Sequence, residues 1–89
     1  MNHLHCTKRF RQDVRRAKRR SKDLTKLNKI LHDLKHGVAL LKRYRNHQLW
    51  QGGYSGAYEL HLEPDHLLIY RLTGNSLLLI RLGSHADLF

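Results

Sequence analysis

His47, Glu59, His61, Asp65, His66, Arg81 and His85 all fall in the second half of this 89-residue chain. Together they offer several imidazoles, two carboxylates and one guanidinium, with no pair at metal-ligand spacing. Imidazole titrates near neutral pH, so it can both take and release a proton at a working pH close to 7. A guanidinium can steady a charged phosphoryl group. This set suits metal-independent cleavage of RNA. A base removes the 2′-hydroxyl proton, the freed oxygen attacks the adjacent phosphorus, an acid protonates the departing 5′-oxygen, and Arg balances the charge of the phosphorane. The chain has eight histidines, so a cluster of them arises readily by chance and carries weight only if the fold gathers it.

The last residues are the densest stretch. Leu77 to Ile80 is an apolar run that leads into Arg81, and then come a Gly83-Ser84 break, His85 and the aromatic Phe89. A strand that ends in this way hands its side chains to a rim. Period-two geometry allows His61 and Arg81 to share a sheet face, with Asp65 in a turn beside them and His85 just past the strand end. Phe89 offers a flat face on which a base can stack.

The elements that must position these residues follow from patterning. Met1 to Cys6 alternates polar and apolar residues as a short strand, with Cys6 on the face opposite His3 and His5, which argues against a metal site there. Thr7 caps a helix over about residues 8–19, in which Phe10, Val14 and Ala17 share a face and Arg and Lys fill the others. Ser21 is placed to cap a second helix carrying Leu24, Leu27, Ile30, Leu31 and Leu34, and Gly37 to end it. Val38 to Gly53 loses its period and reads as a connector. Beyond it, three segments alternate as an antiparallel meander: Tyr54 to Leu62, Leu67 to Leu72 and Leu77 to Leu82. Glu63 to His66 and Thr73 to Ser76 supply its turns. The expectation is a single α+β domain over residues 1–89: a short N-terminal strand and a two-helix hairpin packed on one face of an antiparallel sheet, with the other face free for a substrate.

Charge is divided along the chain. Residues 1–45 carry 15 Lys or Arg against 3 Asp, whereas residues 46–89 carry 2 Arg against 4 acids. With a pI of about 10.4, the basic half is expected to bind something anionic, nucleic acid before an acidic protein or a membrane surface. The densest cations are Arg15, Arg16, Lys18, Arg19, Arg20 and Lys22, which we read as the grip on RNA. No apolar run approaches the roughly 18 residues of a membrane span, and no signal-peptide core precedes the first helix. One cysteine forms no internal disulfide. A cytoplasmic protein is expected.

Three stretches resemble a known family: Asn46-His47-Gln48-Leu49-x-x-Gly52, Glu59-Leu60-His61-Leu62-Glu63-Pro64-Asp65-x-Leu67-Leu68-Ile69-Tyr70, and Leu79 through Phe89. Together with a looser Lys8-x-Phe10-x-x-Asp13 opening, they are similar to the YafQ branch of the RelE/ParE superfamily, toxins of bacterial type II toxin–antitoxin modules. The resemblance implies a RelE-like, microbial-ribonuclease-like fold and a ribosome-dependent mRNA endoribonuclease acting in the ribosomal A site on mRNA beside ribosomal RNA. It also implies an acidic antitoxin encoded alongside, and no cofactor or metal. Its functional residues fall on His47, His61, Asp65, Arg81, His85 and Phe89. In the roles it implies, His85 is the general acid, His61 or His47 the base, Asp65 orients an imidazole, Arg81 holds the phosphate and Phe89 stacks a base. Two positions depart from the pattern, Tyr58 where the family often has arginine and His66 where it often has an aromatic or aliphatic residue. The alternatives are a non-catalytic RNA- or ribosome-binding protein and a ParE-like toxin directed at gyrase.

Overall fold

A computed structural model describes residues 3–35, 47–49, 52–54 and 56–89. In chain order these form β1 (His3–Cys6), α1 (Lys8–Arg19), α2 (Thr25–Lys35), β2 (His47–Gln48), a 3-10 turn (Gly52–Tyr54), β3 (Tyr58–Glu63), β4 (His66–Thr73), β5 (Ser76–Gly83) and α3 (His85–Leu88). The strands make one sheet in the order β1-β5-β4-β3-β2. The expected meander is present as β3-β4-β5. The sheet is nevertheless mixed, because β1 runs parallel to β5, pairing His3 with Ser76 through Cys6 with Leu79. The expected helix end at Gly37, and the connector from Val38 through Asn46, lie outside the described residues. Among the described residues no helix is long and apolar enough to cross a membrane.

α1 begins where its cap residue predicts. Thr7 Oγ1 accepts the Phe10 N–H at 2.9 Å, and Phe10, Asp13 and Ala17 form the buried stripe. Its end differs from expectation. Ser21 has φ 56°, its N–H donates to the Lys18 carbonyl and the Lys22 N–H to the Ala17 carbonyl. That paired pattern is a Schellman C-terminus, so Ser21 closes α1 instead of capping α2. α2 starts at Thr25, whose N–H is taken by Asp23 Oδ1 at 2.9 Å. Its Leu27, Ile30 and Leu34 are buried with Phe10 and Ala17 against Leu60, Leu62, Leu68, Tyr70, Leu77, Leu79 and Leu82 of the sheet.

The opposite sheet face holds a smaller cluster of Ala57, Leu67, Ile69 and Leu88, flanked by Leu49, Tyr54 and Ile80. Strict alternation from Leu77 and Leu79 would send Arg81 into the helix-side core. A bulge at Ile80 prevents this: Tyr70 pairs with Leu79, while Ile69 pairs with Arg81. The extra residue inverts the alternation, so Arg81 joins Ile69, Leu67, Glu59 and His61 on the face away from the main core.

Candidate active site

Each candidate reaches this face by a separate device. β3 carries Glu59 and His61 inward, both buried, with Glu59 Oε1 3.6 Å from His61 Nε2. The β3-β4 turn projects Asp65 at the rim. α3, a single turn, brings His85 to it. Ser84 Oγ accepts the Asp87 N–H at 3.1 Å, Asp87 Oδ2 accepts the Ser84 N–H at 3.0 Å, and Leu88 anchors the turn in the smaller core. Gly83 is required at the hinge, since a Cβ there would stand 2.8 Å from Arg16 Nη2 and 2.9 Å from Asp87 Cβ. The residues after β5 therefore form a capped helical turn.

Asp65 Oδ1 accepts the backbone N–H of His85 at 2.8 Å and lies 2.7 Å from its Nδ1. Those bonds hold the Asp65 carboxyl below the ordinary carboxylate range, the backbone N–H contributing most. An ionised carboxylate only accepts, so Nδ1 carries the proton in the Asp65 bond and Nε2 is the nitrogen not held by Asp65. The His85 ring stands 5.9 Å from that of His61 and 6.4 Å from that of Phe89. Phe89 is 64 % exposed, so it is Leu88 that seals the core while Phe89 presents its face to solvent.

Arg81 is built in more deeply than a strand-end residue would suggest. Its Nε and Nη2 donate to Asp13 at 2.7 and 3.2 Å, and its Nη1 donates to the Tyr54 hydroxyl at 3.2 Å. The Asp13 bond also keeps its guanidinium above the ordinary arginine range. Tyr54 in turn meets the Phe89 ring edge-on at 5.9 Å. Of the cations on α1, Arg16 bonds Asp13 and the Leu82 carbonyl, and Arg20 bonds Asp87. Arg15, Lys18 and Arg19 are exposed and make no ion pair among the described residues. Lys22 lies close enough to act electrostatically on Asp65 and His66. His66 is buried on the α1 side, away from the site, where burial and then Lys22 push its pKa down.

The fold thus brings together His61, Asp65, Arg81, His85 and Phe89. His47 pairs with Glu59 through its backbone in β2, which places it at the border of the same site, and its side chain lies outside the described residues. Three further residues of the site have no role that patterning assigns. Glu59 is visible in the sequence as an inward position of β3; Tyr54 looks like the start of a strand, and Asp13 like one acid in a basic helix. The spacing along the chain offers no metal set, whereas folding places one donor atom each of Glu59, His61 and His85 within 4.8 Å of one another.

The family model for the bacterial toxin of type II toxin–antitoxin systems, YafQ, matches residues 2–89. The chain belongs to the YafQ family. It is 40 % identical over 81 residues to the mRNA interferase toxin YafQ of Escherichia coli K12, covering 90 % of this chain and 87 % of that one. YafQ in the E. coli DinJ–YafQ toxin–antitoxin complex superposes with a TM-score of 0.89 at 35 % identity, covering 100 % of this chain and 99 % of that one. A metal-bound toxin from Helicobacter pylori gives 0.88 at 36 % identity, covering all of both chains. The expected α+β YafQ fold is confirmed, with the sheet mixed as described above.

Proposed function

We propose that this chain is the toxin of a type II pair and cleaves mRNA on the ribosome by internal attack of the 2′-oxygen. The observation that carries the reading is the pair of neighbouring imidazoles, each beside a carboxylate, His85 with Asp65 and His61 with Glu59, on the face where Arg81 stands across Ile69 from Glu59. His61, or His47 at the border of the site, takes the 2′-hydroxyl proton. The P–O5′ bond breaks as the 2′-oxygen bonds to phosphorus, and His85 Nε2 delivers its proton to the 5′-oxygen, leaving a 2′,3′-cyclic phosphate and a 5′-hydroxyl. Asp65 holds the His85 ring and balances its charge while it is protonated. Arg81 Nη1 offers an N–H to the phosphorane, and Phe89 stacks a neighbouring base.

The site has few groups with which to bend its own substrate, and α1 is densely cationic. Arg15, Lys18, Arg19 and Lys22, with the exposed part of Arg20, are read as gripping ribosomal RNA while the ribosome holds the message in line, an orientation that can lower a barrier by about 7 kcal/mol or more. The same cations suit an acidic antitoxin, as the DinJ–YafQ relative suggests. Glu59, His61 and His85 would hold a borderline metal after a small closure, since tetrahedral donors about 2.0–2.1 Å from an ion stand roughly 3.5 Å apart. A metal there would occupy the imidazole lone pairs that proton transfer needs.

The test is primer extension on a translated message with and without the protein. Codon-phased cuts, absent from the same RNA without ribosomes, are expected. Ribosome binding with every message intact would replace this reading with that of a non-catalytic binder.

A further inference from the structure

We propose that Asp13 is a positioning residue for the cleavage, fixing the Arg81 guanidinium so that its outer Nη1–Nη2 edge is left for the substrate; this rests on the cleavage reading above. Asp13 is 2 % exposed on a helix otherwise rich in cations. β1 stops at Cys6, opposite Leu79, so beyond that point β5 has no strand on its outer side among the described residues. α1 runs along this free edge and its side chains take the place of a strand. Asp13 Oδ2 accepts the Leu82 N–H at 2.9 Å, and Arg16 Nη2 donates to the Leu82 carbonyl at 3.1 Å. The same carboxylate reaches Arg81 with both oxygens.

The geometry goes beyond what charge neutralisation needs. A fork-to-fork pair fixes the plane of the guanidinium as well as its place, and it uses the Nε and Nη2 donors. What remains is the outer edge, the two N–H bonds of Nη1 and the second of Nη2, with Nη1 directed at the hydroxyl of Tyr54, whose ring in turn meets Phe89. The rotamer freedom of a long side chain is thereby removed before RNA arrives, and one donor edge faces the place where phosphorane charge would develop.

The experiment is a double-mutant cycle on the full chain, assayed on ribosome-bound message well below each variant's unfolding midpoint. Asp13→Asn keeps an acceptor for the Leu82 N–H but loses the charged fork. It is expected to lower kcat about 100-fold with little change in KM. In an Arg81→Met background the same substitution should cost nothing further in kcat. Equal losses in both backgrounds, or a folded Asp13→Asn that cleaves like the parent, would overturn the proposal. If Asp13→Asn does not fold, Asp13→Glu decides. It keeps the charge and displaces the fork by one methylene, so kcat should fall with the thermal midpoint held; a fully active Asp13→Glu leaves Asp13 a structural counter-ion only. A parent protein that cuts no translated message would instead sink the cleavage reading itself.

Discussion

Asp65 grips His85 twice with one oxygen, at 2.8 Å to the backbone N–H and 2.7 Å to the ring Nδ1. The turn between β3 and β4 thus sets both where α3 starts and which imidazole nitrogen Asp65 holds, leaving Nε2 for the proton transfer proposed above. The His85 and Asp65 side chains are 54 % and 67 % exposed, so their pairing adds little to stability. His85→Ala should lower cleavage by about two to four orders of magnitude while the thermal midpoint barely moves. Toxicity on induction and a melting curve together check this. A fully toxic variant removes His85 from the mechanism.

Arg81 should behave differently. Its removal leaves the Asp13 carboxylate buried with only Arg16 still paired to it, and breaking a buried pair from one side costs about 3–5 kcal/mol. Arg81→Ala is therefore expected to lose stability as well as activity, as urea titration would report. Adding Asp13→Leu should recover part of the stability and none of the activity.

The contrast shows what sequence patterning can carry. The cap and approximate span of α1 are legible because Thr7 and the i, i+4, i+7 stripe are local features, although Asp13 is buried in that stripe and Val14 only partly so. The shared face of His61 and Arg81 was also expected, but the reason is a bulge at Ile80 that nothing in Leu77–Leu82 announces, since it depends on the register with β4. Ser21 reads as an N-cap because Ser favours that position, whereas glycine is the usual residue at a left-handed helix end, and only the backbone shows that Ser21 closes α1. Asp13 was hidden for a related reason. Its partner is 68 residues away, and what makes it necessary is the short length of β1.

Acid should undo α3 before the rest. The Asp87 carboxyl is held down to about 2, first by the Ser84 N–H, and Asp65 is also lowered, first by the His85 N–H. A depressed folded pKa contributes stability above the unfolded value of 3.8, and that contribution disappears as pH falls from there through about 2. Nuclear magnetic resonance of the Ser84–Phe89 amides should show this turn loosening in that window while β4 and β5 stay protected. Simultaneous loss of the whole sheet would contradict it.

Ser21 provides a test of the fold independent of chemistry. A non-glycine residue at φ 56° carries a steric cost that glycine avoids. Ser21→Gly should stabilise the protein by about 0.5–1 kcal/mol, a rise of roughly 2–8 °C in midpoint for a domain of this size, with cleavage unchanged. A lower midpoint would mean that α1 does not end as described.

The cations of α1 divide by partner, which separates holding the fold from holding RNA. Arg16 and Arg20 lie on Asp13 and Asp87, and so support the edge of β5 and the capped turn that carries His85. Arg15, Lys18 and Arg19 are exposed and touch no acid among the described residues. Neutralising those three to Gln should leave the thermal midpoint nearly where it was. Every phosphate that the protein no longer neutralises takes about 0.7–0.9 off the slope of log affinity against log salt, so the slope for ribosome binding should flatten by about 2 to 3. Cleavage of ribosome-bound message at saturating protein should be retained, because the imidazoles and Arg81 are untouched. Arg16→Gln should show the opposite pattern, with a lower midpoint and lower kcat at nearly constant salt slope. Arg20 serves both roles, so Arg20→Gln should lower the midpoint and also flatten the slope by about 0.7–0.9. If the Arg15, Lys18 and Arg19 variant binds ribosomes with an unaltered slope, the RNA grip lies elsewhere on the chain and α1 serves chiefly as the scaffold of the site.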